Sequence, residues 1–181
     1  MKKIIVFNGP PRSGKDTASE IICSHYSNSA ILKFTEIVKN KTHESLGLVC
    51  AHDFFEKDKD LKLSIFKNLT PRQAYINMSE QLRNEFGQNA IADIFVEKFH
   101  NLTEQLIVNP DIGFQFEADV LLNNLDHKNI LFIKLMRNGK TFENDCRNWV
   151  NMDPCKTVTV YNDTKSQLEK DILSIVNDFL K

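Results

Sequence analysis

The stretch that decides the fold is VFNGPPRSGKDTASE, residues 6–20 of a 181-residue chain. Its segment from Gly9 to Lys15 fits the pattern G-x-x-x-x-G-K of a loop that binds phosphate groups. A short apolar run at 2–7 precedes the loop and predicts a buried strand. Apolar residues at helical spacing follow it, namely Ala18, Ile21, Ile22 and Tyr26. The order of strand, glycine-rich loop and helix therefore predicts a site for the polyphosphate of a nucleotide.

The residue types in the loop suit this chemistry. Backbone N–H groups and the positive end of the following helix attract phosphate oxygens. Gly9 and Gly14 allow a tight path and a close approach of the ligand, and Lys15 brings a charge to the terminal phosphates. Arg12 either contacts phosphate or is a solvated loop residue. The predicted nucleotide-binding residues are Gly9, Arg12, Ser13, Gly14, Lys15, Asp16 and Thr17.

Asp16 occupies the position at which this motif usually has a Ser or Thr that binds Mg²⁺ through its hydroxyl. In one interpretation Asp16 lies near the metal, directly or through water, and Thr17 is a second candidate for the metal shell. In the other, Asp16 faces away and is a favourable negative charge in the first helical turn. We favour the first interpretation and expect Mg²⁺, bound together with ATP, at Asp16 and Thr17.

A second anion site is predicted at the start of another helix. Thr70 as N-cap, Pro71 at the first helical position and Gln73 as partner of a capping box mark the helix start. Arg72 lies in the first turn, where the helix dipole opposes a positive charge, unless Arg72 and the helix share a bound anion. Arg83 follows eleven residues later on roughly the same side. The alternative is that both arginines are exposed surface charges.

Asp111 follows the apolar segment EQLIVNPD at 104–111. Ligands of open α/β sheets collect at the carboxyl ends of strands, which makes Asp111 a candidate carboxylate near metal-bound water or near the acceptor. The alternative is a helix N-cap directly after Pro110.

Residues 137–149 are rich in charge and are predicted to form a short lid. Arginines that cover a transferring phosphoryl group stabilise the charge that develops on its oxygens. Arg137 and Arg147 suit this role, and the alternative is a charged surface loop.

Strand and helix patterns alternate along the whole chain. Besides those above, the predicted strands are 30–34, 129–137 and 156–162, and the predicted helices are 36–46, 90–102, 113–125 and a last helix that begins with a Thr164–Gln167 capping box. Alternation of this kind predicts one α/β domain over 1–181, with a parallel sheet covered by helices on both faces. This is the three-layer fold of P-loop nucleoside-triphosphate hydrolases.

The composition argues against two classes of binding partner, nucleic acid polymers and membranes. The net charge is −1, which argues against binding to a nucleic acid polymer. No apolar stretch approaches the length of a membrane span, so we expect no membrane partner and a cytoplasmic location.

In the order of these motifs the chain resembles the deoxynucleoside monophosphate kinases of bacteriophages, within the nucleoside monophosphate kinase group. The similar segments are GPPRSGKDT, FEKDKDLK, LTPRQAYINMSEQLR, IADIFVEK, IVNPDIGFQFEAD and VTVYNDTKSQLEKDI. The chain departs from the family pattern at Gly113, where relatives have Arg in D-x-R-F. It departs again at 79–81, where Ser-Glu-Gln replaces a Gly- and Thr-rich segment.

The resemblance implies transfer of the γ-phosphoryl group of ATP to a dNMP with Mg²⁺, giving dNDP and ADP. It implies an acceptor-binding region at about 36–102, a lid at about 137–149, a homodimer, and the host cytoplasm for a phage-encoded protein. The acceptor would be held by Arg72, Arg83 and Asp111. The implied catalytic residues are Lys15, Arg72, Asp111 and Arg137.

Two other functions stay open. One is a P-loop kinase that phosphorylates another small phosphorylated acceptor. The other is a nucleotide-binding regulatory protein without catalysis, for which Gly113 is the supporting feature.

Overall fold

The computed structural model describes all 181 residues, which divide into two compact units. The sheet unit comprises residues 1–32 and 98–181, and the inserted unit comprises residues 33–97. One domain over 1–181, with an acceptor region at about 36–102, stays a prediction. No helix combines the length and the apolar character that crossing a bilayer requires.

The sheet unit contains five strands, all paired in parallel. They are β1 (Lys3–Asn8), β2 (Ser29–Ile31), β3 (Leu106–Asn109), β4 (Ile130–Met136) and β5 (Lys156–Tyr161). Their order across the sheet is β2-β3-β1-β4-β5, with β1 in the centre. Val6 of β1 is in register with Asn109 on one side and with Phe132 on the other. The carboxyl ends of β1 and β3, which carry the phosphate loop and Asp111, are therefore neighbours.

Six helices complete the chain. They are α1 (Lys15–His25), α2 (Phe34–Ser45), α3 (Pro71–Phe86), α4 (Ala90–Asn101), α5 (Gln115–Asn124) and α6 (Lys165–Leu180). Helices α1 and α6 cover one face of the sheet, and their apolar residues pack with Ile5 and Phe7. The residues that alternate with these, Ile4 and Val6, are at most 1% exposed, so the opposite face is covered too. The predicted three-layer P-loop fold with a parallel sheet and helices on both faces is confirmed.

The inserted unit has a small aromatic core. The ring of His43 on α2 packs against the rings of Phe55, Phe66 and Tyr75. Residues 52–68, which show no clear periodicity, form turns and a 3₁₀ turn at Ser64–Phe66. The capping box at the start of α3 is present as predicted, because Thr70 accepts from the Gln73 N–H at 3.1 Å and Gln73 Oε1 accepts from the Thr70 N–H at 3.0 Å.

Two local predictions need correction. The strand expected at 30–34 ends at Ile31, because Lys33 is the N-cap of α2 and the helix begins at Phe34. The second capping box is half formed. Thr164 accepts from the Gln167 N–H at 3.2 Å, while the Gln167 side-chain amide donates to Asp171 at 2.7 Å.

Candidate functional site

The phosphate loop has the tight path that its glycines predict. A Cβ at Gly9 would overlap the carbonyl oxygen of Leu135 on β4. Gly14 is the N-cap of α1 with φ 104°, and a Cβ there would overlap the side-chain amide of Asn162. Both positions therefore exclude larger residues, the second for its left-handed backbone as well.

Lys15 begins α1 and is 8% exposed. Its Nζ donates to the carbonyl oxygens of Gly9 at 2.6 Å and Pro10 at 2.9 Å. Burial, followed by the positive charge of Arg147, lowers the pKa of Lys15 to about 8, although the negative charge of Asp16 opposes this shift. The ammonium group is thus held by the loop it would serve, and Arg147 lies close enough to act on it.

Ser13 supplies the second buried polar group of the loop. Its carbonyl oxygen accepts from Asn162 Nδ2 at 2.7 Å, which ties the loop to the end of β5. Its Oγ is buried and has no hydrogen-bond partner within the protein. Buried hydroxyl groups are nearly always hydrogen-bonded, so this one suits a polar ligand in the loop.

The first residue of the predicted lid contacts the phosphate loop. Arg137 Nη1 donates to the carbonyl oxygen of Arg12 at 3.3 Å. Arg12 is exposed and has φ 62°, a left-handed backbone that is uncommon for a residue with a side chain. Both arginines therefore lie at the loop, and their roles in phosphate binding stay predictions.

Asn8 and Asn109, two fully buried asparagines that the sequence analysis did not select, organise this end of the sheet. Asn8 ends β1, donates to the carbonyl oxygens of Ile112 and Asn148, and accepts from the Val150 N–H at 3.1 Å. Asn109 ends β3, and its Oδ1 accepts from the Ile112 N–H at 3.1 Å. A polar residue at the end of an otherwise apolar strand was the available signal.

Asp111 lies beside Asn109, whose Nδ2 donates to its Oδ1 at 2.9 Å. The negative charge of Asp111 acts on Lys15 and raises the pKa of the lysine, which opposes the effect of burial. The helix-cap alternative for Asp111 is wrong, because the N-cap of α5 is Phe114. The buried carboxylate of Glu117 accepts from the N–H groups of Gly113 and Phe114 instead.

Arg147 also belongs to this end of the sheet unit. Its Nε and Nη2 donate to the two carboxylate oxygens of Asp145, at 2.9 and 2.7 Å. Next to it, the Asn148 N–H donates to the carbonyl oxygen of Gly113 at 3.0 Å. The sequence analysis placed Arg147 in a lid but did not connect it with Gly113.

In the inserted unit, Arg72 has a different environment from the predicted one. Its Nε and Nη2 donate to Asp60 at 2.8 and 3.4 Å, and its backbone N–H donates to the carbonyl oxygen of Lys59. The Gln73 N–H is taken by Thr70, so these helix-start N–H groups already have protein acceptors. An anion here would therefore be bound by the arginine side chain.

Arg83 lies further along α3, where Nη1 donates to Ser79 Oγ at 3.4 Å. Its part in acceptor binding stays a prediction.

Asp16 and Thr17 stand in the first turn of α1 as an exposed carboxylate and a partly exposed hydroxyl. Both are hard oxygen donors. Mg²⁺ in phosphate sites keeps several waters and takes one or two protein oxygens besides the phosphates. The two residues fit a metal ion bound in this way.

Two solved structures share this fold. Protein TT1252 of Thermus thermophilus is 13% identical, with 99% of this chain and 98% of that chain covered, at a TM-score of 0.57. An unliganded sugar kinase of Janibacter sp. is 11% identical, with 98% and 95% covered, at a TM-score of 0.53. At such identities the likeness shows the fold. No family model and no curated protein matches the sequence.

Proposed function

We propose that the protein is a deoxynucleoside monophosphate kinase, which transfers the γ-phosphoryl group of ATP to a dNMP. The observation that carries the proposal is the buried Lys15, whose ammonium group is held by the carbonyl oxygens of the phosphate loop. The unpartnered Ser13 hydroxyl in the same loop supports a bound polyphosphate. A lysine fixed in this position serves the terminal phosphates of a nucleoside triphosphate.

The acceptor class follows from the sequence resemblance in the inserted unit. Arg72 is the proposed ligand of the acceptor phosphate, and its present partner is the exposed carboxylate of Asp60. A phosphate presents the same kind of bidentate acceptor as a carboxylate does. The acceptor phosphate would therefore replace Asp60 at Arg72, and Arg83 would assist.

The proposed reaction is a direct in-line displacement. An oxygen of the acceptor phosphate bonds to the γ-phosphorus while the bond to the β–γ bridging oxygen breaks, and the electron pair leaves with ADP. Lys15 and Arg137 neutralise negative charge on the oxygens of the transferring phosphoryl group. Asp111, just after β3, orients the acceptor. Mg²⁺ held near Asp16 and Thr17 would supply further charge neutralisation. Positioning and electrostatics account for the catalysis, so no covalent intermediate on the protein is required.

The test is an acceptor screen with the purified full chain. ATP and Mg²⁺ are incubated with each of the four dNMPs, each of the four ribonucleoside monophosphates, and a panel of sugars and sugar phosphates. The sugars are included because one structure of the same fold is a sugar kinase. Ion-exchange chromatography then measures ADP together with the phosphorylated acceptor. We expect stoichiometric dNDP and ADP with at least one dNMP, and neither product from Lys15→Ala.

The alternatives give different products. A phosphorylated sugar or another metabolite, with the dNMPs unchanged, would make the protein a kinase of a different acceptor. Tight MgATP binding without transfer to any acceptor would support the regulatory protein and contradict the proposed enzyme.

A further inference from the structure

Gly113 and the side chain of Arg147 form a close contact in the sheet unit. A Cβ at Gly113 would lie 2.5 Å from both Cγ and Cδ of Arg147, and 2.8 Å from its Cβ. The aliphatic part of the arginine therefore crosses directly over the glycine. Gly113 is also the residue at which the chain departs from its resembled family. Its missing side chain is what makes room for this arrangement.

The guanidinium group is held in a defined orientation. Asp145 binds the Nε and Nη2 edge, and the Arg147 N–H also donates to Asp145 Oδ1 at 2.9 Å. The following residue, Asn148, is bonded to Gly113 and to Asn8 at the end of β1. The arginine is thus fixed from its backbone, along its stem and on one edge of its head group.

Asp145 does not occupy all the N–H donors of the Arg147 guanidinium. A guanidinium has about five N–H donors, and Asp145 takes two of them. The side chain is 29% exposed, so part of it is accessible from solvent. The neighbouring Asn148 accepts through its carbonyl oxygen from the side chain of Asn8 at 3.1 Å, and Asn8 directly precedes Gly9, which places this segment beside the phosphate loop. A bidentate donor pair at this place matches the geometry of phosphate oxygens.

We propose that Arg147 binds the phosphates held by the Gly9–Lys15 loop, and that Gly113 and Asp145 position it for that contact. This inference rests on the proposed function and deepens it. The arginine comes from the 137–149 segment, whereas the strand-end motif of the resembled family would place one at 113. Glycine at position 113 is then required for activity, and its presence does not indicate that catalysis has been lost.

The test is a double-mutant cycle in the full-length protein. The variants are Arg147→Met, Arg147→Lys, Gly113→Ala and the double variant Gly113→Ala/Arg147→Met. Each is measured for its MgATP dissociation constant by titration calorimetry, for kcat and KM with the best acceptor, and for its Tm. Lys128→Met is the matched control, because it also replaces a cation by methionine. Lys128 is exposed and lies just before the start of β4, whereas the candidate site lies at the carboxyl ends of the strands.

Arg147→Met should lower kcat/KM by about 100-fold, the usual effect of losing one donor to a transition-state oxyanion. We expect weaker MgATP binding, a partial rescue by Arg147→Lys and no effect of Lys128→Met. Gly113→Ala should lower kcat/KM by about tenfold by displacing the arginine. The same change should be nearly silent in the Arg147→Met background, because the residue that Gly113 accommodates is already gone.

The outcomes separate the inference from the proposed function. Equal losses from Gly113→Ala in both backgrounds, or Arg147→Met with wild-type binding and turnover, would overturn the inference and leave the kinase proposal intact. If the wild type binds MgATP but phosphorylates no acceptor, the kinase proposal fails. A large loss of MgATP binding in Arg147→Met would still uphold the role of the arginine.

Discussion

Arg72 and Asp60 form a two-pronged ion pair in the inserted unit, with Nε–Oδ1 at 2.8 Å and Nη2–Oδ2 at 3.4 Å. The pair lowers the pKa of Asp60, chiefly through the hydrogen bond from Arg72, so the carboxylate is charged at neutral pH. Both side chains are more than half exposed. The contact therefore competes with any phosphate that Arg72 is meant to bind.

We predict that Asp60→Asn lowers the KM for the acceptor, because the acceptor phosphate no longer has to displace a carboxylate. Arg72→Ala should raise the same KM far more than it raises the KM for ATP. Steady-state kinetics with each substrate varied in turn measures both effects. The control is Asp58→Asn, a change of a nearby exposed acid. Equal effects of Arg72→Ala on both substrates would contradict a separate acceptor site.

Lys15→Ala should abolish turnover while the protein remains folded. The lysine is buried at the start of α1 and donates only to carbonyl oxygens of the loop, which water can hydrogen-bond after the lysine is lost. We expect a decrease in kcat of about 10³-fold or more, since a preorganised charge on the transferring phosphoryl group is removed. Activity assays and circular dichroism check this. The control is Lys170→Ala, at an exposed position of α6. Wild-type rates from Lys15→Ala would exclude the loop from catalysis.

Asn162→Ala should destabilise the protein and weaken nucleotide binding together. The Asn162 amide donates to the buried carbonyl oxygen of Ser13, and its removal leaves that oxygen without this donor. Such a change costs about 1–3 kcal/mol of unfolding free energy. Urea unfolding and MgATP titration measure the two effects. Asn177→Ala, which removes an exposed hydrogen bond to Tyr26, should cost less and leave MgATP binding unchanged. Normal MgATP binding by Asn162→Ala would show that the loop keeps its shape without this contact.

His43 predicts a loss of stability in mild acid. Burial, followed by the charges of Lys39 and His52, lowers the pKa of His43 below its ordinary value of 6.5. The unfolded chain therefore takes up a proton near pH 6.5, while the folded protein does so at a lower pH. Because the unfolded state binds more protons in that interval, the unfolding free energy should fall as the pH drops from 7 toward the folded pKa.

The measurement is urea unfolding between pH 5 and pH 7.5, where the lower limit is on the order of one to two units below an ordinary histidine pKa. His43→Gln removes the titrating ring and should give a shallower dependence on pH. His100→Gln, a change of an exposed histidine, is the control and should keep the wild-type slope. An unchanged slope in His43→Gln would assign the acid sensitivity to other groups.

The features that were predictable from the sequence depend on neighbouring residues. The capping box of Thr70 and Gln73 joins residues three apart, and α6 buries Leu168, Ile172 and Val176 at helical spacing. The phosphate loop is equally local, since strand, glycines and lysine are consecutive. Most of the secondary structure, the fold class and the tight path of the glycine-rich loop could be predicted for that reason.

The rest of the candidate site depends on residues that are far apart in the chain. Asn162 and Ser13 are 149 positions apart, and Asn8 and Val150 are 142 apart. No local pattern marks such pairs, because they are created when strands from distant segments end at the same edge of the sheet. The contact between Gly113 and Arg147 is of the same kind. In the sequence, Gly113 only replaces the arginine of the family pattern. The tertiary structure shows that another arginine, Arg147, lies over it.

The amino-acid sequence by itself thus determined the parallel α/β architecture and the phosphate loop, because hydrophobic periodicity, caps and glycine positions act over a few residues. Only the tertiary structure decided that Asp60 holds Arg72 and that Arg147 crosses over Gly113. Charged side chains take the partners that folding brings within about 3 Å, and that choice is not encoded in their spacing along the chain.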